Sequence, residues 1–337
     1  MKAVGYFKSL PISDPDALKD VTADNPAPAG HDLRVAVRAV SVNPVDTKVR
    51  RRAAPEDGKP AKVLGYDAAG VVEAAGPEAT LFHPGDEVFY AGTINRPGTN
   101  SEFHLVDERI VGRKPKSLSF TQAAALPLTT ITAWEILFDR LAVTPGKDDG
   151  GTLLVIGGAG GVGSILIQLA RRRTALTVIA TASRPQTRDW CLKLGAHHVV
   201  DHSQPLAAQL AALGHAKVAL IAGLTNTEQH YPAIVDIIAP QGKFALIDDP
   251  KTLDILPLKG KSVSVHWESM FTRSIFSTPD MIAQHRLLNE VSAMVDAGTI
   301  VTTLAQELTP INARNLRQAH GLIESGRSIG KVVLHGW

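Results

Sequence analysis

The clearest chemical signal in the sequence is a glycine cluster in which Gly158, Gly160 and Gly163 fit the pattern G-x-G-x-x-G. The apolar run Thr152–Ile156 precedes it and apolar residues at helical spacing follow it, as expected for a buried strand and a helix. There, glycines permit a tight turn, backbone access for a pyrophosphate and close helix–strand packing, while the helix N-terminus faces the phosphates. We therefore predict dinucleotide binding, with the cofactor contacts Gly158, Gly160, Gly161, Val162 and Gly163.

The residues after the second strand of such a fold decide whether NAD or NADP is bound. Folds that prefer NAD usually place Asp or Glu there, about 20 residues beyond the glycines. Here the segment reads Thr181-Ala182-Ser183-Arg184, with Arg188 one helical turn further, and it holds no carboxylate. Hydroxyls and guanidinium groups suit a ribose 2′-phosphate, although a solvated helix start capped by Ser183 is the alternative. We predict NADP(H), contacted by Thr181, Ser183, Arg184 and Arg188.

Further cofactor contacts are expected where later strands end. Leu224-Thr225-Asn226 and Leu246-Ile247-Asp248 would lie at the carboxyl edge of the sheet, where ligands bind. Lys331 could reach the cofactor or merely flank a strand. The contacts predicted from these segments are Thr225, Ile247 and Lys331.

Two kinds of pattern divide the chain. Residues 1–128 contain many short strands separated by Gly and Pro turns, which predicts a β-rich, barrel-like or sandwich module. From Thr152 strands and helices alternate, which predicts a doubly wound parallel sheet of six strands. After about Phe276 two amphipathic helices, Pro279–Ala297 and Asn312–Glu324, and a final strand are expected to return to the first module. The predicted domains are 1–128, 129–275 and 276–337.

Composition narrows the class of protein. The chain has 337 residues and a net charge of +2, with no long basic run to follow a nucleic acid. No apolar run is long enough to span a bilayer, and the first residues lack the apolar core of a signal peptide. Cys191 is the only cysteine, which excludes an internal disulfide framework. We expect a cytoplasmic globular protein.

Taken together, the motifs resemble those of the medium-chain dehydrogenase/reductase superfamily, and within it the zinc-free quinone oxidoreductase (zeta-crystallin-like) branch. The resemblance implies an α/β fold, with a GroES-like catalytic domain, a Rossmann domain for the nicotinamide cofactor and an active site in the cleft between them. The segments that carry the resemblance are Ser41–Arg50, Val63–Gly76, Pro84–Phe89, Leu126–Glu135, Val155–Ala170 and Gly330–Leu334.

The zinc ligands of the superfamily are replaced in this sequence. Asn43 stands where zinc-holding members have a cysteine, and Tyr66 stands in place of a histidine ahead of Asp67. A catalytic zinc needs about three N, S or carboxylate ligands, and Asn and Tyr are poor substitutes. The four-cysteine structural-zinc lobe is also absent. We predict that the protein uses no metal, and we interpret the His197–His202 cluster as a strand end rather than a metal site.

The loss of zinc restricts the reaction. Zinc polarises carbonyls and lowers the pKa of bound water to about 7, and no other strong base is evident for oxidising a simple alcohol. A quinone or an α,β-unsaturated carbonyl needs less activation, because hydrogen bonds can stabilise the enolate that forms as hydride adds. Quinone or enone reduction is therefore the favoured chemistry.

The resemblance implies that Asn43 and Asp46 lie in the active-site loop and that Thr132 lies beside the nicotinamide ring. The candidate hydrogen-bond donors are Tyr66, Asn43 and Lys48, with Asp46 orienting them. Each has a structural alternative: Asn43 shapes a turn and Asp46 caps the next segment. Likewise Tyr66 satisfies the core, Lys48 is a surface or cofactor-edge charge, and Thr132 packs a helix.

These expectations combine into one predicted function: an NADPH-dependent, metal-independent oxidoreductase that transfers hydride to a quinone or another activated carbonyl acceptor. Two alternatives remain open: a double-bond reductase for alkenals or enones, and a catalytically silent NADPH-binding or redox-sensing protein. The expected partners are a small-molecule electron acceptor and a second copy of the chain. Members of the family commonly dimerise by pairing Rossmann edge strands, and Val263–Val265 could be such an edge.

Overall fold

The computed structural model describes residues 1–55, 58, 60–146 and 151–337 and divides the chain into two units. Unit 1 contains Met1–Ile131 and Phe271–Trp337, and unit 2 contains Thr132–Met270. The limits expected from the sequence, residues 128 and 275, differ from these by a few residues. Phe271 lies in unit 1, where its ring packs edge-on against Tyr66 with centroids 5.5 Å apart.

Short strands recur through both units and supply most of the framework. The strands of the described residues are β1 Lys2–Tyr6, β2 Lys19–Thr22, β3 Asp32–Val42, β4 Lys62–Val63, β5 Ala68–Ala75, β6 Glu87–Tyr90, β7 Phe103–Asp107, β8 Val111–Arg113, β9 Thr152–Ile156, β10 Thr177–Thr181, β11 His198–Val200, β12 Val218–Gly223, β13 Ile238–Leu246, β14 Ser264–Trp267, β15 Leu304–Leu308 and β16 Lys331–His335.

Helices connect these strands and cover the sheets. Those of the described residues are α1 Pro44–Arg52, α2 Phe120–Ala124, α3 Pro127–Trp134, α4 Gly161–Arg173, α5 Pro185–Lys193, α6 Leu206–Ala212, α7 Thr227–Ile237, α8 Thr272–Ile275, α9 Ala283–Asp296 and α10 Ala313–Glu324. A π-helical turn, Glu135–Arg140, follows α3, and 3₁₀ turns cover Glu108–Ile110 and Leu256–Lys261. None of the helices in the described part of the chain has the length and apolar character needed to cross a bilayer.

Unit 2 is built on a six-stranded parallel sheet with the order β11-β10-β9-β12-β13-β14. In chain order this is 3-2-1-4-5-6, the arrangement of dinucleotide-binding folds, in which the strand order reverses beside the first strand. Leu154, Ile156, Ile221 and Phe244 are fully or almost fully buried in its core, because a parallel sheet covered on both faces leaves no polar side. The predicted doubly wound sheet is confirmed.

Unit 1 is β-rich and draws on both ends of the chain. Its larger sheet has the order β15-β16-β3-β5-β6-β8, with β7 pairing the other end of β3. The central strand β3 alternates buried and less buried residues along its first half, as its sequence pattern predicts. The pairing of β16 with β3 places Val332 opposite Val42, which brings the last strand beside the segment that begins at Asn43.

Some elements differ from the prediction. The helix expected to begin at Pro279 begins at Ala283, because the preceding residues form a turn in which Thr278 Oγ1 donates to Asp280 at 2.6 Å. No local pattern in the sequence predicts β2, β4, β8 and β15. These strands are short, and apart from β8 they are largely exposed or half-buried, so no apolar alternation marks them.

Candidate functional site

The glycine turn of unit 2 has the geometry of a phosphate-binding loop. Gly157, with φ of +87°, makes the tight turn after β9. The predicted motif begins one residue later, at Gly158, so the glycine of the tight turn lies just outside it. Gly158 instead permits close packing, since an added Cβ would lie 2.7 Å from the Cβ of Ala180. At Gly163 an added Cβ would lie 2.5 Å from the Gly157 carbonyl oxygen, so only glycine fits beneath the turn.

Helix α4 presents its N-terminus at this turn. Its N-cap is Gly160, and an added Cβ there would meet no atom closer than 3.5 Å, which leaves open space over the loop. Among the described residues the N–H groups of Gly161, Val162 and Gly163 have no acceptor, as expected for the first turn of a helix. Three adjacent donors at the positive end of a thirteen-residue helix suit a pyrophosphate.

The end of β10 supplies the residues expected at the ribose. Thr181 is buried, and its Oγ1 accepts the N–H of Gly157 at 3.1 Å, so this hydroxyl stabilises the glycine turn. Ser183 and Arg184 are exposed, and Arg184 is the N-cap residue of α5. Arg188 is also exposed, and its guanidinium donates to the carbonyl of Val199 at 2.8 Å. Ser183, Arg184 and Arg188 are thus the exposed polar residues that follow the end of β10.

The other predicted cofactor contacts in unit 2 lie at the same carboxyl edge of the sheet. Thr225 is exposed just after β12, and its methyl group lies close to Gly157. Ile247 follows β13 and donates its N–H to the carbonyl of Gly223 at 3.3 Å. Thr132 is buried in α3. Of these residues, Thr225 and Ile247 fit a ligand at the edge where the strand order reverses.

A compact polar cluster in unit 1 surrounds Asn43, and we call Ser41, Asn43, Asp67 and Lys331 the Asn43 cluster. All four side chains belong to residues that are at most 3% exposed. Asp67 Oδ2 accepts from Ser41 Oγ at 2.8 Å, from Asn43 Nδ2 at 2.7 Å and from Lys331 Nζ at 3.1 Å. Its other oxygen accepts the N–H of Leu128 at 2.8 Å. The buried carboxylate is thus fully hydrogen-bonded, as a buried charge must be.

The ammonium group of Lys331 is the counter-charge of this cluster. It donates to Asn43 Oδ1, to Asp67 Oδ2 and to the carbonyl of Val42, the last at 3.1 Å. An ammonium has three donors, so its capacity is used entirely within unit 1. The structure places the ammonium of Lys331 beside Asn43, and the cofactor contact expected for Lys331 stays a prediction.

Asp46 holds the backbone on which Asn43 sits. Its Oδ2 accepts the N–H of Asn43 at 2.7 Å, forming a capping box at the start of α1, and its Oδ1 accepts the N–H of Gly65 at 3.0 Å. Burial raises the pKa of Asp46 to about 7, although these two N–H groups and Lys331 oppose the rise. Asp46 therefore orients the loop that carries Asn43 and Tyr66, while Lys48 lies half-exposed on α1.

Tyr66 carries an unused donor. The residue is 1% exposed, and its hydroxyl has no hydrogen-bond partner among the described residues. Burial raises its pKa, with the negative charge of Asp46 adding to the effect, so the hydroxyl stays protonated at neutral pH. An unsatisfied buried hydroxyl costs about 1–3 kcal/mol, which a ligand oxygen at this position would offset.

The sequence did not reveal a pair of buried acids in unit 2. Glu135 and Glu268 are 1% and 5% exposed, and Arg140 Nε donates to Glu268 at 2.7 Å. Burial raises the pKa of Glu268 to about 9, and the neighbouring negative charge of Glu135 adds to the rise. Glu268 therefore keeps a proton at neutral pH. Only the spatial pairing of distant segments brings these acids together, so no local motif could have indicated them.

A cavity of about 190 Å³ lies in unit 1. Its lining includes Thr93 and Arg96 from one loop and Ser274 from α8, and the hydroxyls of Ser274 and Thr93 lie 2.9 Å apart. Met270 and Phe271 are buried, whereas Trp267 is 56% exposed.

Within the described ranges no group of three or more His, Cys, Asp or Glu residues is arranged to hold a metal ion. His197 instead accepts the N–H of Val178 at 2.9 Å.

Comparison with known proteins defines the family. Residues 29–116 match the alcohol dehydrogenase GroES-like domain, and residues 194–334 match the zinc-binding dehydrogenase family. A zinc-type alcohol dehydrogenase-like protein of Staphylococcus aureus is 40% identical over 99% of this chain and 100% of its own length. A solved structure from Rhizobium etli, named as a zinc-dependent alcohol dehydrogenase protein, has a TM-score of 0.96 and 62% identity, covering 100% of this chain and 98% of its own.

More distant relatives have names that state an activity or a bound cofactor. Human quinone oxidoreductase is 33% identical over 60% of this chain and 59% of its own length. The 2-methylene-furan-3-one reductase of tomato is 27% identical over 98% of this chain and 76% of its own length. A mycobacterial protein solved with NADPH has a TM-score of 0.84 and 25% identity over the full length of both chains. The chain belongs to the medium-chain dehydrogenase/reductase superfamily of oxidoreductases.

Proposed function

We propose that the protein is an NADPH-dependent oxidoreductase that works without a metal and reduces quinones or other activated carbonyl compounds. The observation that carries the proposal is the unsatisfied buried donor Tyr66 Oη, on the residue that precedes Asp67 of the Asn43 cluster, a cluster that contains a lysine ammonium. Such a site can stabilise negative charge on an oxygen, but it offers no strong base for removing the proton of an alcohol.

The glycine turn and the end of β10 support the choice of NADPH. The open N–H groups of α4 suit the pyrophosphate, and exposed Ser183 and Arg184 suit a 2′-phosphate where an NAD-binding fold would carry a carboxylate. The relative solved with NADPH has the same fold. When bound, this cofactor supplies the hydride.

The residues of unit 1 would hold the oxygen of the acceptor. Asn43 Nδ2 donates one N–H to Asp67, and its second N–H has no acceptor among the described residues. The hydroxyl of Tyr66 is the second donor, and its raised pKa keeps it protonated. Two donors in a site from which water is excluded stabilise the negative charge that develops on a carbonyl oxygen. Asp46 fixes the loop on which both donors depend.

Reduction of the carbon–carbon double bond of an enone is the second candidate. The tomato relative, whose name gives it an exocyclic enone as substrate, aligns with nearly the whole chain. The same two donors would hold the enone carbonyl, while the hydride adds at the β-carbon. The two functions therefore share a site and differ in the position of the acceptor atom.

We also propose that two copies of the chain pair through β14. Among the residues that the structure describes, this strand is the last in the sheet of unit 2 and has a neighbour, β13, on one side only. Its outer edge offers unpaired backbone groups that a second copy can bond. Light scattering at several concentrations should give the mass of a dimer; the mass of a single chain would contradict this part of the proposal.

The test is to follow NADPH oxidation by the purified protein with a panel of quinones, alkenals, cyclic enones and simple ketones. The proposal expects turnover with quinones or enones, little with simple ketones, and no loss of rate after treatment with a chelator. Flat rates across the panel together with tight NADPH binding would instead support a silent cofactor-binding protein. Loss of the rate on chelation, restored by zinc, would overturn the metal-independent mechanism.

A further inference from the structure

The names of the family and of its relatives refer to zinc, and the structure allows a test of whether these residues could hold it. Asn43 Oδ1 already accepts from Lys331, and its Nδ2, which has no free lone pair, donates to Asp67. Tyr66 remains a protonated phenol because burial raises its pKa. Asp67 Oδ2 has three donors, one of them a cation. The donor set does not fit a zinc ion, which needs open N, S or carboxylate ligands.

The Asn43 cluster already contains a positive charge. Lys331 is 3% exposed, its ammonium touches both Asn43 and Asp67, and the two charged groups compensate each other. A divalent cation placed at Asn43 would lie against the ammonium in a buried region, where repulsion between like charges is strong. The chain thus supplies its own cation.

We propose that Lys331 is the resident cation of this site and a positioning residue for the reaction, acting through Asn43. The idea rests on the proposed function, and it assigns to Lys331 the task of fixing which way the Asn43 amide faces. A fixed amide keeps one N–H of Asn43 available for the oxygen of the acceptor.

The charges on either side determine the orientation of that amide. Its oxygen faces the ammonium of Lys331, and its nitrogen faces the carboxylate of Asp67. Rotating the amide by half a turn would set its NH₂ group against the ammonium and its oxygen against the carboxylate, so both contacts would become repulsive. The ammonium also polarises the amide, which strengthens its remaining N–H as a donor.

A double-mutant cycle tests this coupling. Lys331→Met keeps most of the side-chain volume and removes the charge. It should lower kcat about 10- to 100-fold, the size of loss seen in metalloenzymes when a residue that orients a metal ligand is removed. In an Asn43→Ala background, Lys331→Met should lower kcat less than about threefold, because the residue that Lys331 positions is no longer present. The Kd for NADPH should stay within about twofold in all four proteins, a size of change that marks no loss of cofactor contact.

Lys114 provides a matched control for the loss of a buried lysine. It lies in unit 1, is 8% exposed, and donates to the carbonyls of Pro115 and Leu118 at 2.9 and 2.6 Å. Lys114→Met should lower the melting temperature as Lys331→Met does, but leave kcat nearly unchanged. Equal losses of kcat from Lys331→Met with and without Asn43, or no loss at all, would overturn the positioning role.

A measurement of zinc binding requires no catalytic turnover, so it tests this inference separately from the proposed function. Wild-type protein, incubated with zinc and dialysed, should retain far less than stoichiometric zinc and should melt at an unchanged temperature. Stoichiometric zinc that disappears in Asn43→Ala would overturn the resident-cation assignment, even if no acceptor were ever reduced. Flat rates with every acceptor would instead refute the proposed function, while the zinc result would still decide this assignment.

Discussion

Thr181 Oγ1 accepts the N–H of Gly157 at 3.1 Å, which joins the end of β10 to the turn where the chain leaves β9. The adjacent N–H of Gly158 donates to the carbonyl of Thr181 at 3.2 Å. A residue expected at the ribose thus stabilises the glycine turn. We propose that a 2′-phosphate would be recognised by the exposed residues that follow, Ser183 and Arg184.

The choice of cofactor can be tested at Arg184. Arg184→Gln removes a charge-assisted contact to the 2′-phosphate, so the Kd for NADPH should rise about tenfold while that for NADH changes little. Fluorescence titration of both cofactors measures this. Arg172→Gln, at another exposed arginine of unit 2, is the control and should leave both values unchanged. Equal affinities of the wild-type protein for NADPH and NADH would contradict the predicted preference.

Two glycines of the phosphate loop should respond differently to alanine. Gly163→Ala forces a Cβ within 2.5 Å of the Gly157 carbonyl, so the melting temperature should fall, with a loss of stability of about 1–3 kcal/mol. The methyl group of Gly160→Ala would enter open space, so this variant should melt like the wild type. It should nevertheless bind NADPH more weakly, because the methyl group would meet the pyrophosphate. Calorimetry and titration check both variants. Full NADPH affinity in Gly160→Ala would count against a pyrophosphate at this N-cap.

Tyr66→Phe separates catalysis from stability. The hydroxyl has no partner among the described residues, so its removal should leave the free energy of unfolding equal or higher. Loss of one donor to a developing oxyanion should nevertheless lower kcat about 100-fold, with the Kd for NADPH unchanged. Urea denaturation and steady-state kinetics measure the two effects. Unchanged turnover would remove Tyr66 from the mechanism.

The buried acid pair of unit 2 predicts a pH dependence of stability. Because the folded pKa of Glu268 is raised to about 9, the unfolded chain releases this proton first. The stability that the protonated group contributes is complete below about pH 4, and it is lost as the pH rises towards 9. Glu268→Gln has no titrating proton at this position, so it should not lose this stability. The free energy of unfolding of the variant minus that of the wild type should therefore increase between pH 5 and about 9. A constant difference across that range would contradict the shifted pKa.

The fold of unit 2 could be predicted from sequence because its signals are local. The strand β9 has the predicted limits, since a short apolar run and adjacent turn residues mark a strand buried on both faces. The exposed strand β15 shows no such pattern, because its parallel pairing with β16 is the tertiary contact that makes it a strand. Local patterning cannot reveal strands that are defined by a distant partner.

The candidate site could be predicted only in part for the same reason. Motifs indicated Asn43 and Tyr66, but the ammonium that meets Asn43 comes from Lys331, 288 residues further along the chain. The register that places Val332 opposite Val42 creates this contact, and no spacing within the sequence encodes it. The prediction also placed the glycine of the tight turn one residue too late, because only backbone geometry shows that Gly157 has the positive φ.

The most direct test of a metal-independent reductase is the rate of NADPH oxidation by chelator-treated protein with a quinone or enone acceptor, measured beside the zinc content of the same sample. We expect sustained turnover with far less than one zinc ion per chain. A rate that vanishes with the chelator and returns in proportion to added zinc would contradict it.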